Sequence, residues 1–523
     1  MVKMNYTLLP VKAHYFFFMA AMGPILPFLP VFGKQLGVSE VVMGGINAVL
    51  PILFLIIKPF FGYIIDYFHK KRKIIFISLL IATSLFYFFM VFIPNTKTVV
   101  KINCKHLSSC NDSYEIKTAS CQWSNGNSSE FIAVDLATYC TTSFDSISCL
   151  SANETVLLVC DEPDTEFYIG FTFWAFTILM SLGTIGYNVS NCISDAICFY
   201  ILGNGCEMKY GQQRVWGTIG FGISALLGGF AMDFLNDDVT QSQGTKDYFP
   251  AFSIATLCMI IDILCCIKLK LPPMPKSENI SRDISKLIKQ PHIVTFLFFA
   301  VFVGICDASI IFYLLWYLED LAAATGFTSN IKLLQGITVA VETLCGEVIM
   351  FALSGKILSR IGFGHCLSMC FAFYALRMSL IAAIPSPWWI IPIEMFMQGP
   401  TYALCYTTVV AYASAVAPPG TSGTIQGIVA GVDDGLGFSI GSIVGGIIYK
   451  IYGGRMLFII TSVVALTCCL AHSVLFNLYF KHSLDKPSNS TPLKTSHTTH
   501  IEASECETAK FVPDRNNEVT IIH

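Results

Sequence analysis

Twelve apolar blocks recur along this sequence of 523 residues, and each is long enough to cross a lipid bilayer as a helix. In chain order they form spans 1 to 12, near residues 14–33, 42–64, 74–94, 166–187, 215–234, 249–269, 293–318, 331–354, 365–384, 388–412, 422–448 and 456–479. Only 13% of the residues are charged, against about a quarter in an average globular domain. The sequence therefore predicts an all-α membrane protein with twelve transmembrane helices and excludes a cytosolic enzyme.

The net charge and the motifs of the chain limit its partners. A net charge of −3 offers no basic surface for nucleic acid, and the sequence contains no GxxxxGK[ST] loop for nucleotide phosphates. We expect no nucleic-acid partner, no cofactor and no metal. We also expect a monomer in the lipid bilayer that uses an ion gradient, with protons as the coupling ion.

Lysine and arginine residues are concentrated in two of the segments between spans. Lys70, Lys71 and Arg72 lie between spans 2 and 3, and six basic residues lie between spans 6 and 7. Basic loops favour the cytosolic side, so both termini are predicted to be cytosolic, in the plasma membrane or alternatively an endolysosomal membrane. The predicted organisation is an N-terminus (1–13), a six-helix bundle (14–270), a cytosolic linker (271–292), a second six-helix bundle (293–480) and a disordered cytosolic tail (481–523).

The polar segment 95–165, between spans 3 and 4, is predicted to be an extracellular loop. It contains three N-glycosylation sequons, at Asn111, Asn127 and Asn153, and six cysteines, Cys104, Cys110, Cys121, Cys140, Cys149 and Cys160. An even number of cysteines with sequons is typical of a glycosylated loop held together by disulfides, although the pairing is open. A metal knuckle is the alternative, but the loop has no CxxC pair.

Three segments carry a resemblance to a known family. Residues 62–73 read Gly-Tyr-Ile-Ile-Asp-Tyr-Phe-His-Lys-Lys-Arg-Lys, a glycine, three residues, an aspartate and a basic cluster. They resemble the signature between spans 2 and 3 of the major facilitator superfamily, with Tyr67 in place of the usual arginine. Residues 210–220 and 399–427 add to the likeness, which is strongest to the animal family called major facilitator superfamily domain-containing protein 6. Lactose permease and the nucleoside–proton symporters are more distant.

This resemblance implies the major facilitator fold, in which two six-helix pseudo-repeat bundles move against each other. A weak internal repeat agrees with it, since residues 224–233 in span 5 resemble residues 441–450 in span 11. The motif residues Gly62, Asp66, Lys70, Lys71 and Arg72 are expected to form an inner gate, where the carboxylate meets the end of a neighbouring helix or a basic side chain.

Glycines recur at every fourth position in span 11, at Gly427, Gly431 and Gly435. Small residues at this spacing allow two helices to approach closely in lipid. The pattern predicts that this face of span 11 packs against another helix.

Ionisable residues inside the spans are costly in lipid, so we expect them to face a cavity or one another. Arg377 is the only arginine well inside an apolar span, and carboxylates must surround it. The proton-coupling candidates are Glu342, Arg377, Glu394, Asp307, Asp433 and Asp434, of which the resemblance to lactose permease favours the first three. The alternative is that these charges only pin helices together. A regular helix would place Glu347 about 140° from Glu342, on another face.

Ionisable residues are scarcer in the first half: Lys58 lies near the inner end of span 2, Asp262 lies in span 6, and Asp195 lies in the apolar piece 192–202, which is predicted to extend span 4 at its cytosolic end. The substrate-cavity candidates are Pro24, Pro27, Arg214, Tyr313, Tyr402 and Tyr406. The prolines would free backbone carbonyls in span 1, which membranes tolerate only against protein or a cavity. The tyrosines could stack on a ring of the solute, although membrane-interface belts also use tyrosine.

These patterns together predict a secondary active transporter, not an enzyme, that moves a small polar organic solute by alternating access. One alternative is a surface receptor or adhesion protein that uses the 95–165 loop on a carrier scaffold. The other is an uncoupled uniporter in which the acidic residues are structural.

Overall fold

Helices occupy every predicted span in the computed structural model. It describes residues 8–38, 40–94, 98–103, 118–125, 128–135, 155–160, 168–203, 206–235, 248–272, 279–326 and 331–480. The helices of the first half are Leu9–Met22 and Leu29–Gln35 (span 1), Glu40–Tyr67 (2), Arg72–Phe89 (3), Phe171–Leu202 (4), Gly211–Leu235 (5) and Phe249–Lys268 (6). Short 3₁₀ turns lie at Met90–Phe92, Glu207–Lys209 and Pro387–Trp389.

The second half begins after a helix in the linker, Ile280–Ile288. Its helices are Pro291–Thr325 (span 7), Ile331–Val341 with Val348–Ile361 (8), Phe363–Ala383 (9), Ile390–Gln398 with Leu404–Val416 (10), Ser422–Ala430 with Phe438–Tyr452 (11) and Gly454–Leu475 (12). The linker helix begins at its cap Asn279, whose side-chain oxygen accepts a hydrogen bond from the Arg282 amide at 3.1 Å. It buries Ile280, Ile284 and Leu287 along one face, as an amphipathic helix does.

Nine helices among the described residues are long and apolar enough to cross a membrane. Spans 1, 4 and 10 fall outside that criterion. Span 1 is divided by a turn around Pro24 and Pro27, as the prolines predict. Spans 4 and 10 are less apolar because they carry polar side chains such as Asn191, Asp195 and Thr401. The prediction of twelve spans is confirmed. Span 1 is an interrupted helix, and spans 4 and 10 are more polar than the nine others.

Three spans of the second half contain a wider, π-helical turn. These turns are Glu342–Glu347 in span 8, Gly399–Ala403 in span 10 and Gly431–Gly437 in span 11, and a fourth, Phe476–Phe480, ends span 12. Pro400 has no backbone N–H to donate, and glycines at 431, 435 and 437 weaken the regular ladder. Such turns are rare and frequently lie at functional sites.

The loop between spans 3 and 4 contains strands that the all-α prediction did not include. Strand β1 (Thr98–Asn103) pairs antiparallel with β4 (Thr155–Cys160), and β2 (Thr118–Asn125) pairs antiparallel with β3 (Ser128–Asp135). Cys121 and Cys160 lie in β2 and β4, but their side chains are not described. The other predicted disulfide and glycosylation residues lie outside the described residues: Cys104, Cys110, Cys140, Cys149, Asn111, Asn127 and Asn153. The predicted tail 481–523 lies outside them as well.

The two halves meet along a seam where span 2 packs against span 11. Gly427 lies against the backbone of Lys58 and Pro59, and Gly435 lies against that of Leu55 and Pro51. Small residues every fourth position allow such close approach of two helices. The predicted packing role of these glycines is confirmed. Span 5 meets span 8 in the same way, since Gly211 lies against Phe351 and Ser354.

Candidate functional site

Asp195 in span 4 is the centre of a hydrogen-bond cluster that joins the two halves. Its carboxylate accepts hydrogen bonds from Tyr15 at 2.8 Å and Tyr210 at 2.7 Å, both in the first half, and from Tyr406 of span 10 at 2.5 Å. Asp195 is only 1% exposed. Three phenol groups therefore satisfy one buried carboxylate, and one of the three comes from across the seam.

Arg214 supplies the positive charge of this cluster. Its Nη1 donates to Asn191 Oδ1 at 2.6 Å and lies 3.7 Å from the Asp195 carboxylate. The guanidinium also lies over the rings of Tyr15 and Tyr406, 5.4 Å and 5.2 Å from their centroids. The structure thus places Arg214 and Tyr406, two of the predicted cavity residues, in one cluster at the seam. Tyr402 joins them by stacking on Tyr406 with a centroid distance of 5.9 Å.

A second charged group crosses the seam between spans 2 and 11. Lys58 forms an ion pair with Asp434, and the Lys58 side chain is 1% exposed while that of Asp434 is 26% exposed. The neighbouring Asp433 is buried, and its Oδ1 has no hydrogen-bond partner among the described residues. Both aspartates lie in the π-helical turn of span 11. Asp434 therefore holds the ammonium, and the adjacent Asp433 carboxylate is buried beside this ion pair.

Arg377 of span 9 lies inside the second half, away from the seam. It pairs with Glu394 through two hydrogen bonds, of which Nε to Oε1 is 3.2 Å, and Nη1 donates to Thr401 Oγ1 at 2.7 Å. Both Arg377 and Glu394 are fully buried. The Glu342 carboxyl lies against that of Glu394 and is less buried. The predicted group of Arg377, Glu342 and Glu394 is therefore brought together.

Asp307 of span 7 is held by the helix of Arg377 but does not hydrogen-bond to Arg377 itself. It accepts a hydrogen bond from Tyr374 at 2.6 Å and interacts electrostatically with both Arg377 and Asp434. The six proton-coupling candidates thus form two groups, Arg377 with Glu342 and Glu394, and Asp433 with Asp434, while Asp307 bonds to Tyr374. Arg377 does not contact the first half, since its hydrogen-bond partners Glu394 and Thr401 both belong to the second half.

Glu347 contacts two other helices. It accepts a hydrogen bond from Gln398 at 2.9 Å and one from Thr218, across the seam, at 3.4 Å. Its angle around the helix from Glu342 is smaller than the expected 140°, because both residues lie in one π-helical turn. A turn closed from residue i to i+5 brings residues five apart near each other.

Asp66 lies at the N-terminus of the span 11 helix. Its carboxylate accepts hydrogen bonds from the Thr424 amide at 2.6 Å, the Thr424 hydroxyl at 2.7 Å and the Gly423 amide at 3.2 Å. Tyr200 of span 4 donates a fourth at 2.6 Å. A carboxylate at a helix N-terminus is stabilised by the free amides and the helix dipole.

The other predicted gate residues surround Asp66. Gly62 packs on the backbone of Gly423, and Arg72 stacks on Tyr200 with its guanidinium 4.8 Å from the ring centroid. Lys70 and Lys71 are exposed at the same end of the molecule. This end, which carries residues 68–71, is called the basic end below.

The other three predicted cavity residues lie elsewhere. Tyr313 donates a hydrogen bond to the Ser442 carbonyl and stacks on Tyr449 with a centroid distance of 5.6 Å, so it packs span 7 against span 11 within the second half. Pro27 is exposed, whereas Pro24 packs against Gly228 of span 5. The wide turn in span 1 is used for packing at Pro24.

Sequence reasoning did not select Asp195, Tyr15, Tyr210 or Lys58 as site residues. The sequence shows Asp195 and Lys58 as charged residues near the ends of spans. Arg377 and the acidic residues of the second half lie deeper in their spans, where a charge is more costly, and were selected for that reason. Their function at the seam depends on which helices face each other, and a single sequence does not contain that information.

The sequence as a whole matches a known family. Residues 8–460 match the model of the MFS_1 like family. The chain belongs to the MFS_1 like family. This range includes spans 1 to 11 and only the first two turns of span 12, and the predicted major facilitator resemblance is confirmed.

Curated relatives within the major facilitator superfamily cover part of the chain. The multidrug resistance protein MdtG of Escherichia fergusonii is 26% identical over 302 residues, which is 56% of this chain and 69% of that protein. The human major facilitator superfamily domain-containing protein 6-like is 20% identical over 306 residues, 56% of this chain and 49% of that protein. The second match bears out the resemblance to the animal family.

Solved structures match over nearly the whole chain. A mutant of the nucleoside transporter NupG superposes with a TM-score of 0.56 at 14% identity, covering 90% of this chain and 100% of that one. A mutant of the E. coli fucose–proton symporter FucP gives a TM-score of 0.54 at 12% identity, covering 90% and 99%. The human organic anion transporter MFSD10 gives 0.57 at 13% identity, covering 89% and 98%. At these identities the likeness establishes the fold, and this MFS_1 like member is a multi-pass membrane protein of the secondary transporter class.

Proposed function

We propose that this protein is a secondary active transporter that moves a small polar organic solute by alternating access and couples its movement to protons. It acts as a monomer in the plasma membrane with the basic end and both termini in the cytosol. The fold and family support the transporter, and the charged groups described above support the coupling.

The observation that supports proton coupling most directly is the excess of negative over positive groups around Lys58. Asp434 pairs with this single ammonium, and Asp433, the preceding residue in the same turn, has a buried oxygen without a hydrogen-bond partner among the described residues. Burying an unpaired carboxylate is expensive. The group is neutral only when one of the two carboxyl groups holds a proton, so it supplies one proton-binding position.

The Arg377 group, inside the second half, likewise has two carboxyl groups for one positive charge. Glu394 and Glu342 face one guanidinium that stays charged in proteins. One proton on the less buried Glu342 would again make the group neutral. Asp307 interacts with Arg377 and with Asp434, so a proton that arrives at one group changes the field at the other.

The seam contacts connect these charges to a conformational change. Asp66, Asp195 and Lys58 each bond to spans 10 or 11 of the opposite half. All three contacts lie toward the basic end, so the structure is closed there. Release of solute to the cytosol requires these contacts to separate, which removes Lys58 from Asp434 and alters the proton balance of the group.

The experiment begins with a search for the solute. Cells with and without the protein take up a mixture of metabolites at acidic external pH, and the compound that accumulates is then measured in proteoliposomes with and without a proton gradient. We expect the wild-type protein to accumulate it only when the gradient is present. Equilibration without accumulation would identify a uniporter, and no flux of any compound would favour the receptor function of the 95–165 loop.

A matched pair of variants then tests the coupling residues. Asp434→Asn removes the charge that pairs with Lys58, whereas Asp320→Asn removes an exposed charge that binds Tyr449 outside the seam. We expect Asp434→Asn to abolish gradient-driven accumulation and to leave solute exchange intact, with Asp320→Asn unchanged. Normal accumulation by Asp434→Asn would refute proton binding at the Lys58 group.

A further inference from the structure

Three potential metal ligands meet inside the first half, outside the groups described so far. His14 of span 1 faces Asp262 and Cys266 of span 6, with 2.7 Å between His14 Nδ1 and Asp262 Oδ1 and 3.2 Å between Nδ1 and Cys266 Sγ. The Sγ lies 3.7 Å from Asp262 Oδ1. All three side chains are at most 2% exposed. Asp262 and Cys266 are four residues apart and therefore lie on one face of their helix.

We propose that His14, Asp262 and Cys266 form a binding site for Zn²⁺ or a closely similar divalent metal. The three ligand atoms already form a triangle of suitable size. In tetrahedral zinc sites the metal–ligand distances of about 2.0–2.3 Å place ligand atoms roughly 3.3–3.5 Å apart. The observed separations bracket that value, so small shifts of the side chains would admit the ion.

A second feature points to a ligand that hydrogen bonding does not explain. The other oxygen of Asp262, Oδ2, is buried and has no hydrogen-bond partner among the described residues. Buried polar atoms in native proteins are almost always satisfied. A metal ion bound to this carboxylate would use the free oxygen or orient a water toward it, completing the fourth position.

The surroundings of His14 also resemble a metal site. Its second ring nitrogen, Nε2, lies 2.8 Å from Ser194 Oγ of span 4, and ligating histidines are usually oriented by such a bond on the other nitrogen. The rings of Phe18 and Phe76 pack on the imidazole at centroid distances of 5.5 Å and 5.3 Å. These rings form an apolar wall on two sides of the imidazole and leave the three donors to face one another.

The donor types favour zinc over harder cations. A nitrogen, a thiolate sulfur and a carboxylate oxygen suit Zn²⁺, whereas calcium and magnesium prefer oxygen donors alone. One thiolate and one carboxylate balance the two positive charges of the ion, so the loaded site carries no net charge within the membrane. The metal would tie spans 1 and 6 together near the basic end. The sequence prediction that no metal is bound is revised by this proposal, which is independent of the proposed transport function.

The test uses the full-length protein purified in detergent, stripped with a chelator and dialysed against ZnCl₂, with zinc per chain measured by elemental mass spectrometry. Cys266→Ser removes the sulfur ligand, and Cys265→Ser is its matched control on the adjacent, less buried position. We expect the wild type and Cys265→Ser to retain one more zinc per chain than Cys266→Ser. Asp262→Asn should lose the same ion, and Ser194→Ala should bind it roughly 10–100-fold more weakly.

Cobalt provides a second readout. Co²⁺ in this site should give a thiolate-to-metal charge-transfer band in the wild type and Cys265→Ser that is missing in Cys266→Ser. Gel filtration tests whether each variant is folded. If Cys266→Ser is not folded, Asp262→Asn replaces it in the comparison of zinc content. Equal zinc content in Cys265→Ser and a folded ligand variant would overturn the proposal, and the cluster would then be a hydrogen-bond group only.

Discussion

Asp66 offers the most direct test of how the basic end is held closed. Its Oδ2 accepts from the Thr424 amide and hydroxyl, and its Oδ1 accepts from the Gly423 amide and Tyr200. Asp66→Asn replaces one of these oxygens by an NH₂ group. In either orientation the NH₂ faces a backbone N–H that cannot reverse its polarity, so at least one hydrogen bond to span 11 is lost.

The size of the shift in the closed–open equilibrium follows from the loss of one hydrogen bond. A hydrogen bond to a charged group contributes about 1.5–3 kcal/mol, and a value of about 2–3 kcal/mol is expected here because the carboxylate is only 7% exposed. The bonds to Gly423 and Thr424 exist only while the basic end is closed. The variant should therefore shift the closed–open equilibrium toward the open state by roughly 30–150-fold.

Distance measurement across the basic end would detect this shift. Spin labels attached through introduced non-natural amino acids at the exposed positions Lys71 and Arg360 report on the two halves without involving the native cysteines. We expect the label distance in Asp66→Asn to move to a longer, open population. Thr424→Val, which removes only the hydroxyl, should give a smaller shift. An unchanged distribution in Asp66→Asn would refute the view that these bonds hold the basic end closed.

Two further variants test the buried pair and the seam. Glu394→Ala leaves Arg377 without its paired carboxylate and should destabilise the protein by about 3–5 kcal/mol, seen as a lower melting temperature in detergent than for Glu394→Gln; equal melting of wild type and Glu394→Ala would contradict the pairing. Gly427→Val places a side chain on the Lys58 carbonyl and should populate the same open state, whereas at Gly45 an added Cβ meets nothing within 4 Å and Gly45→Val should not. Similar distances in both glycine variants would exclude close packing as the reason.

Much of the fold was predictable because lipid imposes a simple rule on sequence. A helix must be apolar over about 20 residues to cross the bilayer, and the glycines at 427, 431 and 435 mark a face that approaches another helix. The contact of Asp66 with the start of a neighbouring helix was also predictable, since a carboxylate is stabilised by the positive end of a helix dipole. These features depend on local sequence.

The remaining features depend on which helices become neighbours. The π-helical turn at Glu342–Glu347 changes the direction of every side chain in it, and hydrophobic periodicity alone does not reveal it. Tyr313 packs on Tyr449 because span 7 crosses span 11 at that depth. Asp195 collects three tyrosines, from span 1, from span 10 and from the segment before span 5, an arrangement that no spacing within one helix encodes.

The position of Lys58 explains how proton binding and movement of the halves would be linked in the proposed mechanism. The ammonium belongs to span 2 of the first half, whereas Asp433 and Asp434 belong to span 11 of the second. When the halves separate at the seam, Asp434 loses the ammonium that pairs with it, and the two adjacent carboxylates are left without a nearby positive charge. A second proton then becomes the cheapest way to neutralise them, so the open state binds protons more tightly than the closed state does. By the same linkage, a proton that binds to this group favours opening of the basic end.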